Sequence, residues 1–301
     1  KSSPFRGEVE GYLTGLYFER SIGPVIQEAL AYFETRPEEL SELGKLVFEK
    51  VKEEYALNKN VPAERMQEYV KVLNQAHTDW LKARAAQDFG LLEETLTKVV
   101  AFQKEFIPYW QKEEKTPYDV LLNQFEPGMT VEKLDQVFDQ VKQGIQEIRT
   151  VLAEKGTPPR TDFLSRKMTK EQQRRFVIGV VEQLGYDFSK GRLDDTVHPF
   201  MTALNRNDAR ITTRWEENNF SMATFGVIHE AGHGMYEQNF DPKFDFTPLS
   251  EGASMGIHES QSLFNEIIIG SNRAFWQKQY PFFQECAEGT FDDIAFEDFY
   301  A

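Results

Sequence analysis

The chain has 301 residues, 40% of them apolar and 25 of them Phe, enough to build a sizeable core in one large soluble domain or two small ones. Lys and Arg number 34 against 49 Asp and Glu, and the resulting charge of −15 repels phosphate backbones and anionic lipid, so nucleic acid and membrane surfaces are excluded as expected partners. Cys286 is the only cysteine, which rules out an intrachain disulfide and fits a reducing compartment, and no apolar run is long enough to span a bilayer.

From Phe5 to about Leu184 the pattern is helical almost throughout. Apolar residues from Tyr12 to Phe33 follow a helix period that is broken at Gly23-Pro24. Pro37 opens a segment to Leu57 with glutamates in its first turn, where the helix dipole favours them. Pro62 opens the next, through Met66, Tyr69, Leu73, Ala76 and Trp80; His77, near this stripe, reads as a packed or surface residue rather than a ligand. Gly90 starts a segment through Phe102, Phe106 and Trp110, and Pro117 a short one ending at Glu126-Pro127-Gly128. Thr130 is the expected cap of a long helix through Val137, Phe138, Val141, Ile145, Ile148 and Leu152. Its apolar face needs a partner, so Gly156-Thr157-Pro158-Pro159 reads as a loop within one domain, 1–301. Thr169 caps a last helix of this half, through Phe176, Val180 and Leu184.

At Gly185 the character changes. Residues 196–204 and 209–215 are short, β-branched and aromatic, and Asn205-Arg206-Asn207-Asp208 between them is turn chemistry, which predicts a hairpin. The fold class expected is therefore all-α with one small hairpin or sheet. A helix follows, with Ser221 as its expected N-cap and its end before Asp241-Pro242. Within it Gly226, Gly232 and Gly234 each cost about 1 kcal/mol relative to Ala, for close packing or for room around an ion and substrate.

That helix carries His229-Glu230-Ala231-Gly232-His233. Four residues apart, His229 and His233 share a face about 6 Å apart and both can reach one ion, while Glu230 beside them can take a proton from water without being a ligand. A catalytic zinc site usually takes a third protein ligand. The metzincin continuation fails, because Tyr236 and Asn239 stand where it needs glycine and histidine. Glu237 lies on the same face, but about 12 Å along the axis from His229, too far to share an ion. Another helix must supply the ligand. The stretch from Glu251 to Gly270 offers Glu251, Glu259 and Glu266, with Glu259 first because Gly256, Ser260 and Ser262 let the helices approach.

His198-Pro199-Phe200, Asp208-Ala209-Arg210-Ile211-Thr212-Thr213-Arg214, the HExxH run and His258-Glu259-Ser260-Gln261-Ser262 together resemble the carboxypeptidase Taq family of metallocarboxypeptidases in order and spacing. Pro117-Tyr118-Asp119, Glu126-Pro127-Gly128 and Gly191-Arg192-Leu193-Asp194 extend the likeness into the helical half. The resemblance implies Glu259 as third ligand, Glu230 as general base, zinc or sometimes cobalt as the metal, and a helical fold with a deep groove like neurolysin. It also implies peptide substrates trimmed from the C-terminus, by a cytoplasmic homodimer.

Two departures stand out. Leu263 and Asn265 replace an arginine and a tryptophan of many relatives, and the opening segment and the later IRxxAD and GxxQDxHW motifs are missing. With Lys1 in place of Met and Ala301 just after an apparent helix start, the chain reads as a central fragment, incomplete at both ends and expected to be weak or inactive alone.

The alternatives are an endo-oligopeptidase of the same mechanism, a non-catalytic helical module, and a di-iron protein, which would need a second ExxH that the chain lacks. On the substrate side, residues 209–215 are the expected strand for a peptide to pair with. Arg210 and Arg214 would bind substrate or pair locally with Asp208 and Glu216-Glu217. His198, expected on the partner strand, would lie near the same site.

Overall fold

Prolines, glycines and short polar side chains set most helix ends in the computed structural model, which describes residues 3–301. Helices α1 (Ser3–Ser21) and α2 (Pro24–Glu34) part at Gly23, with Pro24 at the first helical position, where its missing N–H leaves no bond unmade. The next helix starts later than Pro37 predicts. Pro37–Glu39 forms only a 3-10 turn, and α3 (Glu42–Asn58) begins where Ser41 Oγ accepts the Gly44 N–H. Then come α4 (Ala63–Ala86), α5 (Gly90–Trp110) and α6 (Pro117–Phe125).

Two compact units divide the chain, the first formed by the residues up to Gln124 together with Gly128–Val131. Inside it α4 packs on α1 and α5, around Phe18, Val61, Phe102, Phe106, Trp110 and Val120. Asp119 closes its end: the carboxylate accepts the Thr116 N–H at 3.0 Å and the Val131 N–H at 2.7 Å.

The second unit holds Phe125–Pro127 and Glu132–Ala301. Most of α7 (Val131–Lys155) belongs to it, and Gly156–Pro159 is a loop inside it. The apolar stripe of α7 does not find the partner expected for it among the described residues: Val137, Phe138, Val141, Ile145, Ile148 and Leu152 are all exposed. A capping box of Thr169 and Gln172 starts α8 (Lys170–Leu184), and Gly185, at φ 113, ends it in the left-handed conformation that glycine adopts without strain.

Strands β1 (Leu193–Asp195), β2 (Met201–Asn205) and β3 (Asp208–Thr213) form one sheet in the order β1-β3-β2. The predicted hairpin is its β2–β3 half. The third strand was not legible, because three residues are too few to show alternation. β1 runs parallel to β3, with Leu193 opposite Ile211, so β3 is bonded on both sides and offers no edge to a peptide. His198 lies in the bend before β2, not on a strand.

Helix α9 (Phe220–Gln238) is capped by Asn219, whose side chain accepts the Met222 N–H, rather than by Ser221. After it come α10 (Met255–Leu263), a π turn (Phe264–Ile269), α11 (Arg273–Cys286) and α12 (Phe296–Tyr300). Glu251 precedes α10 and is not helical.

α9 sits at the centre, against β3, β2, α8 and α10. Its Val227, Ile228 and Ala231 join Phe176 and Val180 of α8, Ile211 of β3 and Trp276 and Phe283 of α11 in one core. Each such large side chain contributes about 1.5–3 kcal/mol by leaving water. The polar ends are satisfied too: Trp276 donates to Gly270 O at 2.7 Å and Tyr280 to Ile294 O at 2.6 Å. No helix among the described residues is long and apolar enough to cross a membrane.

Candidate metal centre

The four-residue spacing sets His229 and His233 side by side on α9, with ring centroids 4.9 Å apart. Facing them, α10 brings up Glu259, with Oε1 3.7 Å from His229 Nε2 and Oε2 3.3 Å from His233 Nε2. These separations bracket the roughly 3.3–3.6 Å between ligand atoms on a tetrahedral ion with bonds of about 2.0–2.2 Å. One nitrogen or oxygen from each residue lies within 4.8 Å of the others, the one such cluster of potential metal ligands among the described residues. Two neutral imidazoles and a carboxylate are a donor set that suits zinc, so the residues present fit the ion.

Close helix packing makes this meeting possible. A Cβ on Gly232 would lie 2.7 Å from Ser262 Cα and 2.8 Å from Gln261 O, so α10 can approach α9 there only because position 232 has no side chain. Gly234 makes similar room for the Tyr186 ring. Gly256 serves another purpose. The Glu126 carboxylate accepts its N–H at 2.8 Å in the first turn of α10, and a Cβ would sit 2.4 Å from that oxygen. A carboxylate at a helix N-terminus is favoured by the dipole.

Of the other acids, Glu251 is outside the helix, and Glu266 makes a different contact: on the π turn, it lies 2.8 Å from His229 Nδ1. A carboxylate on the second nitrogen of a ligating histidine fixes its tautomer and aim. His258 Nδ1 lies 2.6 Å from His233 Nδ1, and its Nε2 lies 2.9 Å from Glu237 Oε1. Sequence reasoning left both residues without this role, although His258 adjoins Glu259 and Glu237 stands one turn beyond His233.

Glu230 is 7% exposed, and burial pushes its carboxyl up to about 7; Glu259 and Glu266 add to the rise and His229 opposes it. A base with a pKa near neutrality accepts and returns protons with small driving-force penalties. Burial, then His258 and His229, push His233 down to about 4, leaving it neutral, as a metal ligand must be.

The residues assigned to the substrate side do not converge in the same way. Arg210 binds Asp208 through two bonds of 2.8 and 2.7 Å, which hold that carboxyl below the usual range, and Arg214 pairs with Glu216. His198 is exposed.

The sequence profile of the carboxypeptidase Taq (M32) metallopeptidases matches residues 1–301. The chain belongs to this family. It is 44% identical to Carboxypeptidase 1 of Bacillus subtilis over 294 residues, 98% of this chain and 58% of that protein. Thermostable carboxypeptidase 1 of Thermus thermophilus is 32% identical over 311 residues, 100% of this chain and 61% of its own length. The M32 carboxypeptidase from Deinococcus radiodurans R1 superposes with a TM-score of 0.88 at 32% identity, covering 99% of this chain and 60% of the other. The chain thus spans about three fifths of the length of these relatives. At the two positions where the sequence departs from the expected pattern, Leu263 is exposed and Asn265 donates to Gln261 O at 2.9 Å.

Proposed function

We propose that the chain carries the metal centre of a zinc carboxypeptidase that removes C-terminal residues from peptides. The observation that carries this reading is the meeting of His229, His233 and Glu259 beside the buried Glu230. The three would hold the ion, with cobalt able to replace zinc. When bound, the ion supplies Lewis acidity and lowers the pKa of water toward neutrality. Glu230 takes the proton of the attacking water and passes it to the leaving amine. Glu266 keeps His229 turned to its task through Nδ1.

A substrate strand would pair with the outer edge of β2, Met201–Asn205, since β3 has none free. His198, exposed in the bend before β2, would contact the peptide or its oxyanion. Arg210 and Arg214 would bind a peptide only by exchanging their present carboxylate partners. The single buried cysteine and the family resemblance support a cytoplasmic protein that dimerises at its relatives' length.

The decisive test compares free and amidated C-terminal peptides, with the chain extended to the length of its relatives. Trimming of the free peptides only, abolished by a chelator and restored by zinc, is expected. Equal cleavage of both at internal bonds would favour the endo-oligopeptidase reading.

A further inference from the structure

We propose that His258 and Glu237 form a relay that fixes the tautomer and aim of His233, which makes His258 a positioning residue of the metal centre. This rests on the metal reading above. To ligate through Nε2, which faces Glu259 at 3.3 Å, a neutral His233 must carry its proton on Nδ1. The group 2.6 Å from that N–H is His258 Nδ1, which accepts only when unprotonated, so His258 carries its proton on Nε2. That nitrogen is 2.9 Å from Glu237 Oε1, which accepts as a carboxylate.

Each bond therefore dictates the next. Moving one proton sets two N–H groups or two lone pairs face to face between the imidazoles. Moving both turns a lone pair of His258 against the Glu237 carboxylate. The chain thus runs one way, and it ends with the Nε2 lone pair of His233 directed at the ion. His229 reaches the same state with one bond fewer, through Glu266.

The surroundings are built for the relay. The side chains of His258 and Glu237 are only 20% and 12% exposed. A Cβ on Gly252 would lie 2.7 Å from His258 Cδ2, so a glycine makes room for the ring, and Tyr236 meets it edge-on with centroids 5.1 Å apart. Glu237 stands on α9 and His258 on α10, so the relay joins the two helices that carry the ligands.

The test measures zinc affinity by chelator competition for the 301-residue chain and for His258→Leu, His258→Gln and Glu237→Ala, with thermal melts of the metal-free forms. Leu fills the space without accepting a bond, and the affinity should fall about 10- to 100-fold. Gln can accept from His233 and donate to Glu237, so it should recover most of the loss. A folded Leu variant with undiminished affinity, or a Gln variant no better than Leu, would overturn the relay. Should Leu prevent folding, Glu237→Ala decides: weaker zinc binding supports the relay and unchanged binding refutes it. Long-range 1H–15N NMR of the metal-free chain reads the tautomers directly, with Nδ1–H on His233 and Nε2–H on His258 expected and the opposite pair fatal to the proposal. A parent chain that binds no zinc would remove the metal reading itself, a result separate from all of these.

Discussion

Glu230 and Glu266 are both carboxylates beside the histidine pair, yet burial and partners give them different work. Glu230 is withdrawn from water and its pKa lies near 7, whereas Glu266 bonds to His229. Glu230→Gln should keep the ion and lower peptide turnover by roughly 10²- to 10⁴-fold at full length, as loss of a general base does. Glu266→Ala should instead lower zinc affinity by about 10- to 100-fold. Metal analysis beside a peptide-trimming assay separates the two, and metal loss from Glu230→Gln would contradict the assignment. Cys286 is fully buried, and burial pushes its thiol up, away from the reactive thiolate. Cys286→Ser should therefore leave turnover intact in the same assay.

At the scale of elements, the position of α10 decides where Glu259 lies. Glu126 holds its first turn, and the backbone of its last turn rests on Gly232. Gly232→Val would force the helices apart, at a cost of about 1–3 kcal/mol in denaturant unfolding of the metal-free chain, and should weaken zinc binding with it. A variant of unchanged stability and affinity would show that the contact relaxes freely. Asp119 organises the other unit. Its carboxyl is held below the usual range chiefly by the Val131 N–H, with burial opposing and Thr116 assisting. A lowered folded pKa means that the bonds stabilise the protein above the unfolded value of about 3.9 and that this is lost as pH falls through the folded value. Asp119→Asn should accordingly be less stable than the parent at pH 7, with the gap shrinking as pH falls below the unfolded value and through the lowered folded one, as denaturation midpoints across an acid pH series would record.

For the whole molecule, the exposed stripe of α7 matters most. Val141, Ile145, Ile148 and Leu152 are each more than half exposed, a continuous apolar face of the kind that associates. The 301-residue chain should bind hydrophobic dyes and show concentration-dependent light scattering. Val141→Lys with Ile148→Lys should reduce both while leaving zinc affinity unchanged. A parent chain that stays monodisperse and dye-free would refute this.

What depends on near neighbours along the chain was legible in the residues alone. Helix periods and end signals located most helices, with Gly23-Pro24 and Thr169 as clear boundaries, because capping and propensity act within one turn. The His229–His233 pair was legible for the same reason: four residues of helix dictate its geometry. Long-range packing selected which of Glu251, Glu259 and Glu266 faces both Nε2 atoms and which turns to Nδ1, since that depends on how α10 meets Gly232. It also decided that Leu193–Asp195 occupies one side of β3, that His258 links Glu237 to His233, and that the stripe of α7 stays exposed among the described residues. These are contacts between segments far apart in the chain. A local pattern shows that a side chain can make such a contact, but its partner is chosen by the packing of the elements that carry the two.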